Sequence, residues 1–191
     1  MAKSLCSKSE AGFSLAEVLV ATGIMVTALV SLAQLFALST QSNTVARDTT
    51  FSTVLAEQKL EQLRALTWGF DSIGLPLTDT TTNTAVTPET PAGGTGLSPS
   101  PATALQENTP GYVDYLDRWG AIIGGGVAVP PAGTVYIRRW SIEPLPTNPN
   151  NTLIIQVLVT RLIDRGVANA GNVSRLADEA RVITVKTRKA Q

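Results

Sequence analysis

The sequence predicts an α+β protein in which a long N-terminal helix, transmembrane over its first half, packs against a small antiparallel β-sheet. Three observations lead there. Residues 13–38 form one apolar run, residues 39–67 continue it without a Pro or Gly, and three β-prone segments lie between residue 134 and the end. The chain divides accordingly into a short polar leader (1–12), an apolar helix (13–38), an amphipathic continuation (39–67), a Gly/Pro/Thr-rich loop region (68–133) and a sheet-forming head (134–191).

Composition narrows the function before any motif is read. The 191 residues fit one modest domain plus accessory segments. With 15 Lys+Arg against 15 Asp+Glu, the chain has no overall electrostatic footprint for nucleic acid or anionic lipid, local patches aside. The absence of histidine removes the commonest metal ligand and the usual general base. No nucleophile–base pair, metal-ligand cluster or phosphate loop stands out, and Gly124–Gly125–Gly126 neither follows a convincing strand nor opens a helix. No catalysis, cofactor or small-molecule substrate is expected. Cys6 is the single cysteine, so no intramolecular disulfide can form; preceding the apolar run, it reads as an incidental leader residue and not a lipid-modified one.

Residues 1–12 are polar, with Lys3 and Lys8 against Glu10. The 26 residues from Phe13 to Leu38 are apolar apart from Glu17, Gln34 and small hydroxyl residues. As a helix they extend roughly 39 Å, enough to cross a hydrocarbon core of about 30 Å. That is too long for the core of a secretory signal, and no clean small-residue cleavage site follows. The flanking lysines hold the N-terminus in the cytoplasm. Glu17 is the one ionisable group in the run. A charge at the bilayer centre costs on the order of 3 kcal/mol and less near the interface, so snorkelling or capping at the helix start is its plainest role.

The string GFSLAEVLVA, from Gly12 to Ala21, resembles the prepilin signature of type IV pilins and type II secretion pseudopilins. The resemblance covers roughly residues 3–40: a short basic leader, Gly before Phe, Glu four residues after that Phe, and an uninterrupted apolar helix. It implies a pilin-like fold and cleavage between Gly12 and Phe13 by a prepilin peptidase, which then methylates the Phe13 amine. It also implies an assembly role for Glu17, whose carboxylate would pair with the Phe amine of a neighbouring subunit. The physics agrees residue by residue. Gly12 offers a protease no side chain and favours extended entry. An ion pair in a low dielectric attracts far more than in water, so a single one can select axial register. Implied partners are other pilin or pseudopilin subunits, the peptidase and an inner-membrane assembly platform; nucleic acid is not expected. The implied location is the bacterial inner membrane, single-pass with the N-terminus cytoplasmic and the head periplasmic, and then a pilus or pseudopilus. Many major pilins carry a proline in the second half of this helix, whereas the first here is Pro76. That absence, the lack of a C-terminal disulfide and the long Thr/Pro/Gly insert point to a minor subunit, of a pilus first and of type II secretion second.

Beyond Leu38 the pattern is amphipathic. Leu60, Leu63 and Leu66 recur with Val54 and Leu55 upstream, Glu57, Glu61 and Arg64 gather on another face, and Lys59 interrupts the apolar stripe. One helix from about Phe13 to Leu66 is expected, with two helices hinged near Ser39–Asn43 as the alternative. Residues 69–133 favour loop or partial disorder, within which GYVDYLDRWGAII (111–123) packs locally. Asp114 and Asp117 are weak calcium candidates without a loop of convergent oxygens, and solvated loop carboxylates are the blander account. Expected strands are Thr134–Ile142, Leu153–Ile163 and Ala180–Thr187, the last with Ile183 and Val185 opposed to a wet face of Thr184, Lys186 and Arg188. Arg138 and Arg139 read as solvent-facing arginines of the first strand, with a nucleic-acid contact shared with Trp140 as the sharper alternative. From a different class altogether, a membrane-tethered periplasmic enzyme or binding domain would leave Gly12–Phe13 uncut.

Overall fold

The computed structural model describes residues 12–162 and 179–188. The leader expected over residues 1–12, with Cys6, lies outside the described residues except for Gly12; so do Ile163 and residues 164–178 and 189–191. The chain forms two compact units, one ending at Thr44 and one beginning at Val45.

Helix α1 (Leu15–Ala65) belongs to both units and runs without a break through Ser39–Asn43, so the single-helix expectation holds and the hinged alternative does not. It matches the predicted span to within two residues at each end. In the first unit every described residue is exposed. The second unit begins a buried face at Ser52, with Leu55, Ala56, Lys59, Leu60 and Leu63 inside.

That face lies under a five-stranded antiparallel sheet ordered β4-β3-β5-β6-β7, built from β3 (Val113–Leu116), β4 (Ile122–Gly125), β5 (Tyr136–Pro144), β6 (Thr152–Arg161) and β7 (Ala180–Thr187). A separate two-stranded ribbon pairs β1 (Trp68–Phe70) with β2 (Pro76–Thr78). The inner face of the sheet presents Leu116, Tyr136, Trp140, Ile142, Leu153, Ile155, Val157 and Val159 to the helix leucines. On the outer face Val113, Tyr115 and Ile137 form a smaller cluster, and the Tyr115 hydroxyl donates to the Val127 carbonyl at 2.7 Å.

The sheet is larger than the three strands legible in the sequence, because the region expected as loop supplies two more. Within residues 68–133 the strand β3 is wholly buried, and Ala85, Leu97 and Ala104 enter the main core. Short polar side chains fold this stretch back on itself. The Asp71 carboxylate accepts from the Ile73 and Leu75 amides, and Asp79 accepts from the Thr81 and Thr82 amides and the Thr82 hydroxyl. Such turns give the backbone partners that neither helix nor sheet provides. The glycine run at 124–126 ends β4. A side chain at Gly125 would collide with the Ala85 carbonyl oxygen, so the run serves close packing.

The face of β7 is the reverse of the expected one. Ile183 and Val185 are more than half exposed, while Thr184 and Lys186 turn inward. The inward lysine has a use that apolar patterning cannot show. Its ammonium donates to the Leu63, Arg64 and Leu66 carbonyls, satisfying the C-terminal end of α1, which has no glycine cap. Arg188 follows on the same side, stacked 3.7 Å above the Trp68 ring and donating to the Gly69 and Leu77 carbonyls, so it ties the β1–β2 ribbon to the end of β7.

Substituting Lys186→Met keeps the aliphatic stem and removes the cap. We expect it to lower stability by about 1–2 kcal/mol, measured by chemical denaturation of the full chain in detergent. A change under about 0.5 kcal/mol, typical of an exposed lysine, would contradict the capping role.

Candidate functional site

At the head of α1, Gly12, Phe13 and Ser14 are non-helical and exposed, and a Cβ placed on Gly12 would meet nothing within 4 Å. Ser14 is the N-cap. Its hydroxyl oxygen accepts the Glu17 amide at 3.2 Å, and its carbonyl accepts the Val18 amide at 3.2 Å. Ser14 and Glu17 thus have the Ser-x-x-Glu spacing of a capping box. The Glu17 side chain is exposed in the first turn, with no ion-pair or hydrogen-bond partner among the described residues.

The apolar surface that follows is unusual for a protein in water. Phe13, Leu15, Leu19, Ile24, Met25, Leu29, Leu35 and Phe36 are each more than half exposed, and the most apolar window of α1 has mean hydropathy 2.1 with none of it buried. Hydroxyls within the run are satisfied inside the helix: Thr22, Thr27 and Ser31 each donate to the carbonyl four residues back. By length and composition this helix can cross a membrane once.

The second unit contains a buried polar cluster that the sequence did not announce. Asp114 on β3 lies opposite Arg138 on β5 in the strand register, and the guanidinium grips the carboxylate with two bonds of 2.9 Å. Lys59 of α1 reaches the same carboxylate, 3.1 Å from Oδ2, and also donates to the Thr84 carbonyl. A third bond from Arg138, 3.0 Å long, ends on the Leu55 carbonyl of α1. The Lys59 ammonium rests 3.8 Å above the Trp140 ring, a cation–π contact out of water. Two cations share one anion here. Burial is the main cause pushing the Lys59 ammonium down to about 8, with Asp114 opposing and Arg138 assisting.

Several expectations are corrected by this arrangement. Arg138 and Arg139 are not solvent-facing: both are 2 % exposed, Arg138 held by Asp114 and Arg139 by the Asn108 side chain at 2.8 and 3.0 Å. Their burial and their partners inside the unit speak against the nucleic-acid contact as well. Asp114 is neither a calcium candidate nor a solvated loop carboxylate, because both its oxygens are taken by cations inside the core. Asp117 is on the surface but shapes a turn, its Oδ1 accepting the Trp119 and Ala121 amides at 2.8 and 2.9 Å. No cluster of three metal-binding side chains exists among the described residues. Lys59 has a lowered pKa without access, its side chain being wholly buried, so it acts structurally.

Asp114→Asn leaves two buried cations unbalanced and should cost about 3–5 kcal/mol, whereas Lys59→Met leaves a neutral Asp114–Arg138 pair and should fall within about 1 kcal/mol of wild type. Lys59 holds its proton less tightly folded than unfolded. Stability should therefore rise with pH above about 8, where the unfolded chain binds more protons, and gain nothing from this group below it. Denaturation of the full chain in detergent between pH 7 and 10 should show that rise in wild type and its loss in Lys59→Met.

No protein-family model, curated protein or solved structure matches this chain.

Proposed function

We propose that the chain is a structural, minor pilin-like subunit, processed by a prepilin peptidase between Gly12 and Phe13 and assembled into, or priming, a type IV pilus or a related filament such as a pseudopilus. One observation carries the reading. An exposed, non-helical Gly12–Phe13–Ser14 leads straight into a helix whose apolar first half is exposed throughout and whose first turn holds a single carboxylate, Glu17.

Each part has a physical use in that function. Cleavage at Gly12 needs an accessible backbone, and this one has open space around it. Removal of Lys3 and Lys8 leaves an apolar helix headed by the Phe13 amine. The uncovered side chains of residues 13–38 first require lipid and later the helices of other subunits. In either surrounding a lone carboxylate is costly until it meets a cation, and a neighbour's Phe13 amine supplies one. The inner membrane is the starting location, with the second unit periplasmic.

The processing step is tested by the intact mass of the protein extracted from membranes of its native host. The expected species lacks the first twelve residues and carries one added methyl group on Phe13. An uncut chain would favour a membrane-tethered periplasmic domain instead. For assembly, Glu17→Ala is the informative variant, since the backbone amide that Ser14 caps is retained. It should insert and be cleaved as wild type, yet co-purify with sheared filaments at a small fraction of the wild-type level. Normal incorporation of the variant would remove the pairing role.

A further inference from the structure

The sheet ends on β7, and that edge is open. β7 is the last strand in the sheet order, it pairs with β6 through all 8 of its residues without a register shift, and among the described residues no segment bonds to its far side. The direction of its backbone groups follows from the ladder. The Arg188 amide donates to the Asn151 carbonyl at 2.7 Å, one step beyond the last pair, Thr187 with Thr152. Every second residue back from Arg188, namely Lys186, Thr184, Val182 and Ala180, therefore bonds toward β6. The amides and carbonyls of Arg181, Ile183, Val185 and Thr187 point away from the sheet.

Natural edge strands are guarded by a proline, a bulge or a charged side chain at the edge. β7 has neither of the first two, and its charges are drawn elsewhere. Lys186 runs under the sheet to the end of α1, and the Arg181 guanidinium leans back across the outer face to the Gln156 side chain at 2.7 Å. What stands at the edge on that face is apolar. Ile183 and Val185 are 57 % and 58 % exposed, beside Gln156 and Ile154 of β6.

We infer that β7 pairs antiparallel with β7 of a second copy of this chain, about a two-fold axis at Thr184. The four outward residues of each strand are centred there, so this register alone pairs all of them: Ile183 with Val185, Arg181 with Thr187, and the same in return. At two bonds per hydrogen-bonded pair that makes about eight backbone bonds, against about six after a slip of two residues either way. The side chains agree. Ile183 and Val185 of one copy cover Val185 and Ile183 of the other, and Thr184 meets Thr184. Each basic residue meets an uncharged one, Arg181 facing Thr187, Lys186 facing Val182 and Arg188 facing Ala180, so the strand does not repel its twin. The contact is isologous strand addition and lies wholly in the second unit, so it does not rest on the filament reading.

The full chain in detergent tests the register. Thr184→Cys, in a Cys6→Ser background, places two thiols on a non-hydrogen-bonded pair with Cα atoms about 4.5 Å apart, within reach of a disulfide. Mild oxidation should link the copies into a dimer on a non-reducing gel. No link overturns the inference, and so does a link formed only to a different protein when host membranes are oxidised. Sedimentation in detergent should give a dimer for wild type and a monomer for I183K/V185K, in which each new lysine faces another across the axis. I183K/V185E sets opposite charges at the same facing positions and should recover the dimer; its failure to do so overturns the register. Both residues are more than half exposed, so the variants should keep the wild-type circular dichroism spectrum. A dimer that survives I183K/V185K is held by the apolar helix or another surface and overturns the inference, as does a wild type that stays monomeric.

Discussion

The Asp114 carboxylate is the point on which the second unit depends. It accepts from a lysine of α1 and an arginine of β5 while sitting on β3 itself, so one buried anion sets the register of two strands and the height of the helix beneath them. A shift of the helix by one turn would strand Lys59 against apolar side chains and leave the Leu55 carbonyl without Arg138. Apolar packing alone is tolerant of such slips, because leucines at successive turns are interchangeable as ballast. The polar contacts are not interchangeable. Breaking them leaves charge in a dry place, a penalty of several kcal/mol.

A second cation–carbonyl contact works at the C-terminal end of the same packed face. Lys186 closes α1 where the helix has run out of its own donors, and Arg188 continues from there to the β1–β2 ribbon. Basic side chains at both places join backbone or carboxylate oxygens from segments far apart in the chain. These long-range polar ties add specificity to the apolar core. They also explain why Ile183 and Val185 are left outside: the inner side of β7 is reserved for the residue that reaches the helix end.

Much of this was legible in the sequence, and the failures have a common cause. α1 could be placed because 51 residues without proline combine an apolar run with a leucine stripe, both local signals. β6 was visible as a dense β-branched run, and the N-terminal Gly12, Phe13 and Glu17 stood out by spacing alone. What could not be read were pairings between distant residues. Asp114 and Arg138 each look like surface residues until the strand register places them opposite one another, and the interruption of the stripe by Lys59 was the one visible trace of the cluster. β3 and β4 hid in a region of turn-forming composition, since four-residue strands carry too little periodicity to rise above it. The inner face of β7 is hidden for the same reason: alternation says that two faces differ, not which of them is inside.

The two halves of α1 obey opposite rules, and under the proposed function that contrast bears on where assembly information can reside. From Ser52 onward the helix's one buried charge, Lys59, is satisfied inside the core by Asp114 and closed to a partner. In the apolar half the only charge is uncovered and unsatisfied among the described residues. An ion pair already made inside the core cannot discriminate between neighbours, whereas a carboxylate held at a capped helix start, surrounded by side chains that exclude water once covered, must find a cation or impose a cost on every arrangement that lacks one. Under the proposed function, Glu17 is therefore the residue able to reject wrong axial offsets between subunits, and the rest of the apolar helix, lacking any comparable group, supplies cohesion without direction.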